Sequence, residues 1–192
     1  MIAPDALLSA YASGWFPMAV APGEIRWYSP DPRGIIPLDT FHLSRRLARS
    51  LRKSRFEIRL DTSFRSVIEA CAAREHADGD WIDGEIIESY CGLHEQGFAH
   101  SMETWQDGVL VGGLYGVAIQ GAFFGESMFH RVDDASKAAL AALVERLRAR
   151  GYALLDTQWV TEHLAQFGAI EIPRRRYLRL LDEAVKVDVS FK

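Results

Sequence analysis

The chain has 192 residues, of which 48% are hydrophobic and 25% are charged, and its formal net charge is −4 at pH 7. This composition is that of a globular protein with a sizeable core, and the longest apolar run, residues 109–119, is too short to span a bilayer. Cys71 and Cys91 are isolated, and the N-terminus lacks the basic and apolar regions of a secretion signal. We therefore expect a cytoplasmic protein without a membrane partner.

The first half of the sequence predicts mainly short helices. A helix is predicted over residues 4–13, because a proline suits the first turn and Gly14 can close the helix. Residues 15–37 hold five of the seven prolines. Within them, two prolines in three residues force residues 27–33 into extended or turn geometry, and they are predicted to form a rigid loop that exposes Trp27 and Tyr28. That loop is either a binding surface or a seal over the core.

Three further helices and a strand complete the first half. Each helix has apolar residues at i, i+3 or i+4 and follows a residue that can cap it. The helices are predicted to begin at Asp39 or Thr40, at Asp61 or Thr62, and at Asp83, and the strand covers residues 55–60. Residues 74–80 are predicted to form a polar loop.

From residue 98 the apolar period changes to that of strands. Asp107-Gly108 is a strong hairpin signal between the predicted strands 98–105 and 109–119. A third strand, 122–124, is predicted to end at Gly125-Glu126-Ser127. Downstream, a helix is predicted from Asp133 or Asp134 to about Gly151, then a strand over 152–156 and a helix near 160–167. The predicted fold class is α+β.

The basic residues are concentrated in two segments. Residues 45–59 and 174–179 together hold 11 of the 22 basic residues and carry a net charge of +10, so the remainder carries −14. A charged segment is most often a solvated face. Segregation of this degree also favours contact with a polyanion, for which phosphates are the obvious candidate.

Familiar catalytic motifs are missing from the sequence. It contains no phosphate-binding G-x-x-x-x-G-K-[ST] loop, no G-x-S-x-G elbow and no G-x-G-x-x-G turn. The six histidines include no pair at i, i+4, and neither cysteine lies in an activating context. We therefore expect no metal site and no cofactor.

A polar group remains at the end of a predicted strand. In an extended chain Asp156 and Gln158 lie on the same side, and Glu126 follows the preceding strand. These three side chains could converge on one site. Alternatively, Asp156 caps the next helix and Gln158 is a surface amide.

Several motifs in chain order resemble one family, the leucyl/phenylalanyl-tRNA–protein transferases. They extend from about residue 7 to residue 181. The longest are Gly14-Trp15-Phe16-Pro17, Trp27-Tyr28-Ser29-Pro30-Asp31-Pro32-Arg33, Leu93-His94-Glu95-Gln96-Gly97-Phe98, Val111-Gly112-Gly113-Leu114-Tyr115-Gly116, Gly125-Glu126-Ser127-Met128-Phe129, Leu155-Asp156-Thr157-Gln158 and Glu171-Ile172-Pro173-Arg174-Arg175.

The resemblance implies a fold and a division into domains. It implies a small, mostly helical N-terminal part and an acetyltransferase-like mixed sheet flanked by helices. We expect a reduced N-terminal region with a Trp/Pro-rich loop over residues 1–38, and a catalytic domain over residues 39–192. The family pattern begins roughly thirty residues earlier than this chain.

The resemblance also implies an activity. Leu, Phe or Met would pass from its tRNA to the α-amine of proteins that begin with Arg or Lys, marking them for degradation. Gln158 would orient the attacking amine, Asp156 would orient Gln158, and Glu126 would lie near the acceptor. Asp156 and Glu126 together, as a negative pair, would select the cationic acceptor side chain.

Further residues gain expected roles from the same resemblance. Leu140, Leu143 and Leu147 would line the pocket for the donor side chain, although their spacing alone is that of a core. Trp81 would bind the aminoacyl-adenosine, and Met18 replaces a second family tryptophan there. Thr161 replaces a usual asparagine. The tRNA phosphates would contact Arg45, Arg46, Arg49, Arg52 and Lys53.

Two other functions remain open from the sequence. An acyl-CoA-dependent N-acetyltransferase would share the fold, but it usually needs a glycine-rich pyrophosphate loop before the helix. Residues 131–137 contain no glycine and include Asp133 and Asp134. A non-catalytic RNA-binding module would explain the arginines but would leave Asp156, Gln158 and Glu126 without a role.

Overall fold

The computed structural model describes residues 1–21, 23–73 and 81–192, and the predicted polar loop 74–80 lies outside them. Within these ranges the helices are α1 (Pro4–Ala12), α2 (Arg45–Lys53), α3 (Phe64–Ala72), α4 (Gly84–Glu95), α5 (Ala135–Arg150), α6 (Glu162–Ala165) and α7 (Arg174–Ala184). The strands are β1 (Phe16–Ala21), β2 (Glu24–Tyr28), β3 (Arg33–Ile35), β4 (Glu57–Leu60), β5 (Ala99–Gln106), β6 (Val109–Ile119), β7 (Ala122–His130), β8 (Leu154–Gln158) and β9 (Ile170–Ile172). None of these helices is long and apolar enough to cross a membrane.

A mixed sheet of seven strands forms the centre of the molecule. Its order is β4-β5-β6-β7-β8-β3-β9. The neighbours are antiparallel except for β7 and β8, which run parallel and are connected through α5, as a parallel pair requires a crossover. The first two strands, β1 and β2, form a separate antiparallel hairpin.

Helices cover both faces of the large sheet, and a hydrophobic cluster fills each interface. One cluster joins α1, α3, α4 and α7 to the sheet through side chains such as Leu7, Ile68 and Tyr177. The other joins α2 and α5 to the opposite face and includes Leu47 and Leu143. Strands whose successive side chains alternate between faces can supply both clusters.

The predicted α+β class, with a mixed sheet flanked by helices, is confirmed. The helices α3, α4 and α5 lie where the apolar spacing placed them, and Asp83 caps α4 by accepting a hydrogen bond from the Ile86 amide. The division into domains at residue 38 stays a prediction. The third strand, β3, joins the large sheet through its pairing with β8 and β9.

Three local predictions need correction. The predicted loop 27–33 is extended at both ends, because β2 ends at Tyr28 and β3 begins at Arg33, so only residues 29–32 connect strands. The helix expected from Asp39 or Thr40 begins at Arg45, where the Ser44 hydroxyl accepts from the Leu47 amide. The strand expected over 122–124 continues to His130, since its pairing with β6 resumes beyond a bulge.

Candidate functional site

The two parallel strands separate at the middle of the sheet. Their pairing ends at Phe124 and Asp156. Beyond that pair a cavity of about 90 Å³ opens between residues 125–128 of β7 and residues 157–158 of β8. Glu126 and Gln158 line this opening, and Asp156 lies two residues before Gln158 on the same strand, so β7 and β8 together bring the three expected side chains to one place.

Glu126 occupies a β-bulge. Gly125 pairs with Gly116 and Ser127 pairs with Tyr115, so Glu126 is the extra residue of β7 between two partners on β6. A bulge re-aims a side chain without ending its strand. Gly116 permits this geometry, because a Cβ there would lie 2.3 Å from the Phe124 carbonyl oxygen. Glu126 therefore lines the cavity from within a strand, and the expectation that it marks a strand end is wrong.

Polar side chains surround the Glu126 carboxyl group. The Gln158 Nε2 donates to its Oε1 at 3.2 Å, and the Tyr90 hydroxyl lies 3.4 Å from its Oε2. Tyr90 in turn shares a short hydrogen bond with Tyr11. Burial raises the pKa of Glu126 to about 8; a hydrogen bond with Tyr11 lowers it, and the charge of Asp156 raises it further. Glu126 is therefore mostly protonated at neutral pH and loses its proton as the pH rises through about 8.

Asp156 is fully buried and paired with an equally buried arginine. The Arg33 Nη2 donates to its Oδ2 at 2.6 Å, and the Arg33 Nε donates to its Oδ1 at 3.0 Å. The Tyr177 hydroxyl donates to the same Oδ2 at 2.7 Å. The remaining Arg33 nitrogen, Nη1, donates to the Gly14 carbonyl at 3.0 Å. Bidentate pairing of this kind neutralises the carboxylate and fixes its orientation.

The backbone of Gln158 adopts a conformation that is unfavourable for a non-glycine residue. Its φ is +59°. The Asp156 Oδ1 accepts from the Gln158 amide at 2.8 Å and supports this turn. Gly34 pairs with Gln158, and a Cβ at Gly34 would lie 2.5 Å from the Trp159 carbonyl carbon. Only a glycine at position 34 lets the two backbones approach this closely.

The three expected catalytic residues are therefore brought together, but their contacts differ from the expected ones. Asp156 holds the backbone of Gln158, whereas the side-chain amide of Gln158 contacts Glu126. The expected negative pair is wrong, because Arg33 neutralises Asp156 within the fold. Glu126 is the carboxyl group that faces the cavity.

The expected donor pocket is only partly present. Leu140 and Leu143 of α5 line the cavity. Leu147, one turn further along the helix, is fully buried in the core behind it and does not reach the lining. Other apolar side chains around the cavity come from outside α5, so the leucine spacing of that helix could not reveal them. They are Leu114, Met128, Leu155 and Leu164.

Trp81 and Met18 lie close together at the β1 strand. The Trp81 carbonyl accepts from the Ala19 amide at 3.1 Å, and Ala19 follows Met18. Both side chains are half-buried against the cluster that contains α1 and α4. The arrangement leaves one part of each side chain available to solvent.

The basic side chains of α2 project away from the protein. Leu47 anchors the helix in the core, and Ser50 donates to the Asp134 carboxylate before α5 at 2.8 Å. Within the described ranges no ion pair involves the five basic residues of the helix. They are the exposed Arg45, Arg46, Arg49, Arg52 and Lys53.

Sequence reasoning missed Arg33 and Tyr177. Both belong to motifs noted in the sequence, but a strand near the N-terminus and a helix near the C-terminus had no visible relation to Asp156. The sequence offered only a compositional hint of the role of Tyr177, which is the one tyrosine in the basic segment 174–179. The described residues hold no group of three or more His, Cys, Asp or Glu side chains that could bind a metal.

Two family profiles match the chain. The profile of the leucyl/phenylalanyl-tRNA protein transferase family matches residues 35–182, and the profile of that family's N-terminal domain matches residues 1–31. The chain belongs to this family. It is accordingly an aminoacyltransferase.

Similar relatives span almost the whole chain. Proteins named leucyl/phenylalanyl-tRNA–protein transferase are 54% identical in Gloeobacter violaceus and 55% identical in Herpetosiphon aurantiacus. These alignments cover 100% and 99% of this chain and 98% of each relative. A third, from Rhodopseudomonas palustris, is 55% identical over 99% of this chain and 86% of its own length.

Solved structures give weaker similarities. L-PGS from Bacillus licheniformis has a TM-score of 0.47 and 15% identity, covering 84% of this chain and 54% of that one. A ribosomal-protein-alanine N-acetyltransferase from Brucella melitensis has a TM-score of 0.40 and 18% identity, covering 56% and 84%. Neither similarity assigns an activity to this transferase-family chain.

Proposed function

We propose that this enzyme transfers Leu, Phe or Met from its tRNA to the α-amine of proteins that begin with Arg or Lys. The product carries a new N-terminal residue that marks the protein for degradation in the cytoplasm. The observation that carries the proposal is the leucine-lined cavity of about 90 Å³ that ends at Glu126 and Gln158. An apolar side chain fits such a cavity, and the polar pair meets the reacting atoms at its edge.

The donor ester is already activated, so the site needs no nucleophilic side chain. The acceptor nitrogen attacks the ester carbonyl carbon, a C–N bond forms, and the bond to the ribose oxygen breaks. One proton of the acceptor ammonium passes to the ionised form of Glu126 and then to solvent, and another passes to the departing ribose oxygen. Holding amine and ester in attack geometry can supply roughly 7–11 kcal/mol of the barrier.

Glu126 is suited to receive that proton. Its pKa of about 8 matches the pKa of an α-amine, about 7.7–8.0. Transfer between two groups of equal pKa costs little free energy. Gln158 would hold the neutral amine through its carbonyl oxygen, because its Nε2 is directed to Glu126. A cationic Arg or Lys at the acceptor's first position would favour the ionised form of Glu126 and so bind next to it.

Two observations weigh against transfer from acyl-CoA. The segment before α5 places Asp133 and Asp134 at the helix N-terminus, where a pyrophosphate would need amide donors without nearby acids. The Asp134 carboxylate is held there by Lys137 at 2.7 Å. Both features disfavour an anionic cofactor at this position.

One transfer assay tests the proposal. Radiolabelled Leu-tRNA and Phe-tRNA are offered with a peptide that begins with Arg, and acetyl-CoA is offered in parallel. We expect label in the peptide only from aminoacyl-tRNA. A peptide that begins with Asp is the matched control and should remain unlabelled. Acetylation of the peptide without aminoacyl transfer would overturn the proposal.

A further inference from the structure

A second basic surface lies on α7. Residues 174–179 hold four arginines and no acidic residue, and all four arginines are exposed. Within the part of the chain that the structure describes, none of the four forms an ion pair. No step of the proposed function uses them. We call this group the α7 basic surface, and its members are Arg174, Arg175, Arg176 and Arg179.

Two of these arginines point away from the protein. Tyr177 marks the inner side of the helix, because it is fully buried and its hydroxyl donates to Asp156 at 2.7 Å. With 3.6 residues per turn, Arg175 and Arg179 each lie roughly 160° around the helix from Tyr177. They are four residues apart and are therefore neighbours on the outer side of α7.

The fold does not neutralise the charge of this outer side. Arg175 and Arg179 form a like-charged pair at i, i+4, which destabilises a helix. The first turn of α7 contains no acidic residue, although the helix dipole disfavours cations there. Further along the helix, Asp182 is already paired with Lys186 at 2.7 Å. An anion bound to the α7 basic surface would therefore relieve repulsion that exists within the isolated protein.

The α7 basic surface begins at the same end of the sheet as the cavity. In β3, Gly34 pairs with Gln158 of β8, and Arg33 pairs with Ile172 of β9. The ends of β8 and β9 therefore lie side by side, one on each edge of β3. The helix α7 begins at Arg174, two residues after Ile172. Its first turn thus lies at the end of the sheet where Gln158 lines the cavity.

The basic helix α2 reaches this end of the sheet from the other face. Its Ser50 donates to Asp134, which directly precedes α5 and lies four residues after the end of β7. Leu47 of α2 and Tyr177 of α7 belong to the hydrophobic clusters on opposite faces of the sheet. The two basic surfaces therefore lie on either side of the opening between β7 and β8.

We propose that the α7 basic surface contacts phosphates at the acceptor end of the donor's tRNA. This inference rests on the proposed function, which places the donor ester at Gln158. The RNA that leads away from that ester leaves through an opening with α2 on one side and α7 on the other. Phosphate contacts carry no sequence information, so tRNAs for different amino acids can be held in the same way.

The experiment measures Leu-tRNA binding at about 50 and 200 mM salt, without acceptor peptide, so that no transfer occurs. Each lost phosphate contact makes binding less dependent on salt, by about threefold in affinity over this range. We expect that change in Arg175→Gln and in Arg179→Gln, and about tenfold in the double variant. The midpoint of thermal unfolding should stay the same or rise, because like-charge repulsion is removed.

Arg150→Gln is the matched control. Arg150 is an exposed arginine in the last turn of α5, just before the start of β8 and therefore at the opposite end of the sheet from Gln158. It should leave the salt dependence unchanged. The binding series is repeated with a leucylated hairpin that contains only the acceptor stem and the 3′ end of the tRNA. The double variant should show the same change on this hairpin as on the whole tRNA.

A double variant with the salt dependence of the wild type overturns the inference. So does a change that is seen with the whole tRNA and lost with the hairpin, because it would place the contact elsewhere on the tRNA. A raised KM for the acceptor peptide with unchanged Leu-tRNA binding also overturns it, since the peptide would then lie on α7. The proposed function fails separately, through a wild-type enzyme that binds Leu-tRNA but moves no leucine to the peptide.

Discussion

Arg33 and Asp156 form a bidentate ion pair in which neither side chain has measurable exposure to solvent. They are 123 residues apart in the sequence, and they meet because β3 lies beside β8. Burial lowers the pKa of Arg33, but the charge and hydrogen bonds of Asp156 raise it by more, so its pKa lies above the ordinary value. The role of Asp156 is therefore structural, because its carboxylate accepts from the Gln158 amide and supports the turn there.

Removing the cation of this pair should destabilise the fold strongly. Arg33→Met leaves the buried Asp156 carboxylate with two neutral donors, the Tyr177 hydroxyl and the Gln158 amide, and should cost about 3–5 kcal/mol in the free energy of unfolding. Tyr177→Phe removes the hydroxyl that donates to Asp156 and accepts from the Arg33 Nη2 but keeps the ion pair, so its cost should be smaller, about 1.5–3 kcal/mol. Urea denaturation measures both. Equal losses of stability in the two variants would show that the ion pair is not the main source of stability at this site.

The side chain of Gln158 can be removed in two ways that differ only in backbone strain. Gln158→Ala and Gln158→Gly both delete the amide that contacts Glu126, and both should lower kcat by about 100-fold. Because φ is +59° at this position, the glycine variant should be about 1 kcal/mol more stable than the alanine variant. Transfer kinetics and urea denaturation separate the two effects. Near-normal kcat in both variants would exclude Gln158 from the reaction.

Asp156→Ala, in contrast, is not a clean test of chemistry. It leaves the Arg33 guanidinium buried without its partner, so we expect a loss of stability together with the loss of transfer. This cost follows from the buried ion pair with Arg33, which the sequence alone does not reveal.

Glu126 should make stability depend on pH. Its pKa is about 8 in the fold and 4.5 for an unperturbed carboxyl group, so between these values the folded chain retains a proton that the unfolded chain has lost. Stability contributed by this group therefore falls as pH rises from about 4.5 to 8. Glu126→Gln has no group that titrates here. Relative to the wild type, its free energy of unfolding should therefore increase by at least about 1 kcal/mol between pH 5 and pH 9. Parallel stability curves for the two proteins would contradict the raised pKa.

The size of the cavity should determine which donor is accepted. Leu143 lines the cavity, and Leu143→Trp fills space that the larger Phe side chain needs more than Leu does. Phe transfer should fall by at least about tenfold relative to Leu transfer, since apolar pockets discriminate by about 1–3 kcal/mol per methylene. Leu147→Met, in the core behind the cavity, is the control and should leave the ratio unchanged. Competition between Phe-tRNA and Leu-tRNA gives this ratio directly.

The exposed cations of α2 should contribute to tRNA affinity through phosphates. The double variant Arg46→Gln and Arg49→Gln should weaken the binding of Leu-tRNA. It should also make the slope of log K against log salt concentration less steep, because up to about two fewer counterions are released on binding. Lys186→Gln, remote from α2 and already paired with Asp182, should leave the slope unchanged. An unaltered slope in the double variant would place the tRNA elsewhere.

The family and most of the helices could be predicted from the amino-acid sequence. Motifs spread over almost the whole chain carried the resemblance, and the i, i+3, i+4 spacing in α3, α4 and α5 depends only on which side chains must face a core. Asp156 and Gln158 were recognised as candidates because two residues of one strand keep their relative positions wherever the strand packs.

How those candidates are used depends on contacts that form only in the folded protein. The bulge at Glu126 arises from register with β6, and the charge of Asp156 is cancelled by a residue from β3. Leu147, one turn beyond Leu143, packs in the core and does not line the cavity. Each of these depends on contacts between segments far apart in the chain, whereas local periodicity reports on one segment at a time. Glu126, which the sequence placed at the end of a strand, lies in a bulge within β7. Its buried carboxyl group loses its proton near pH 8.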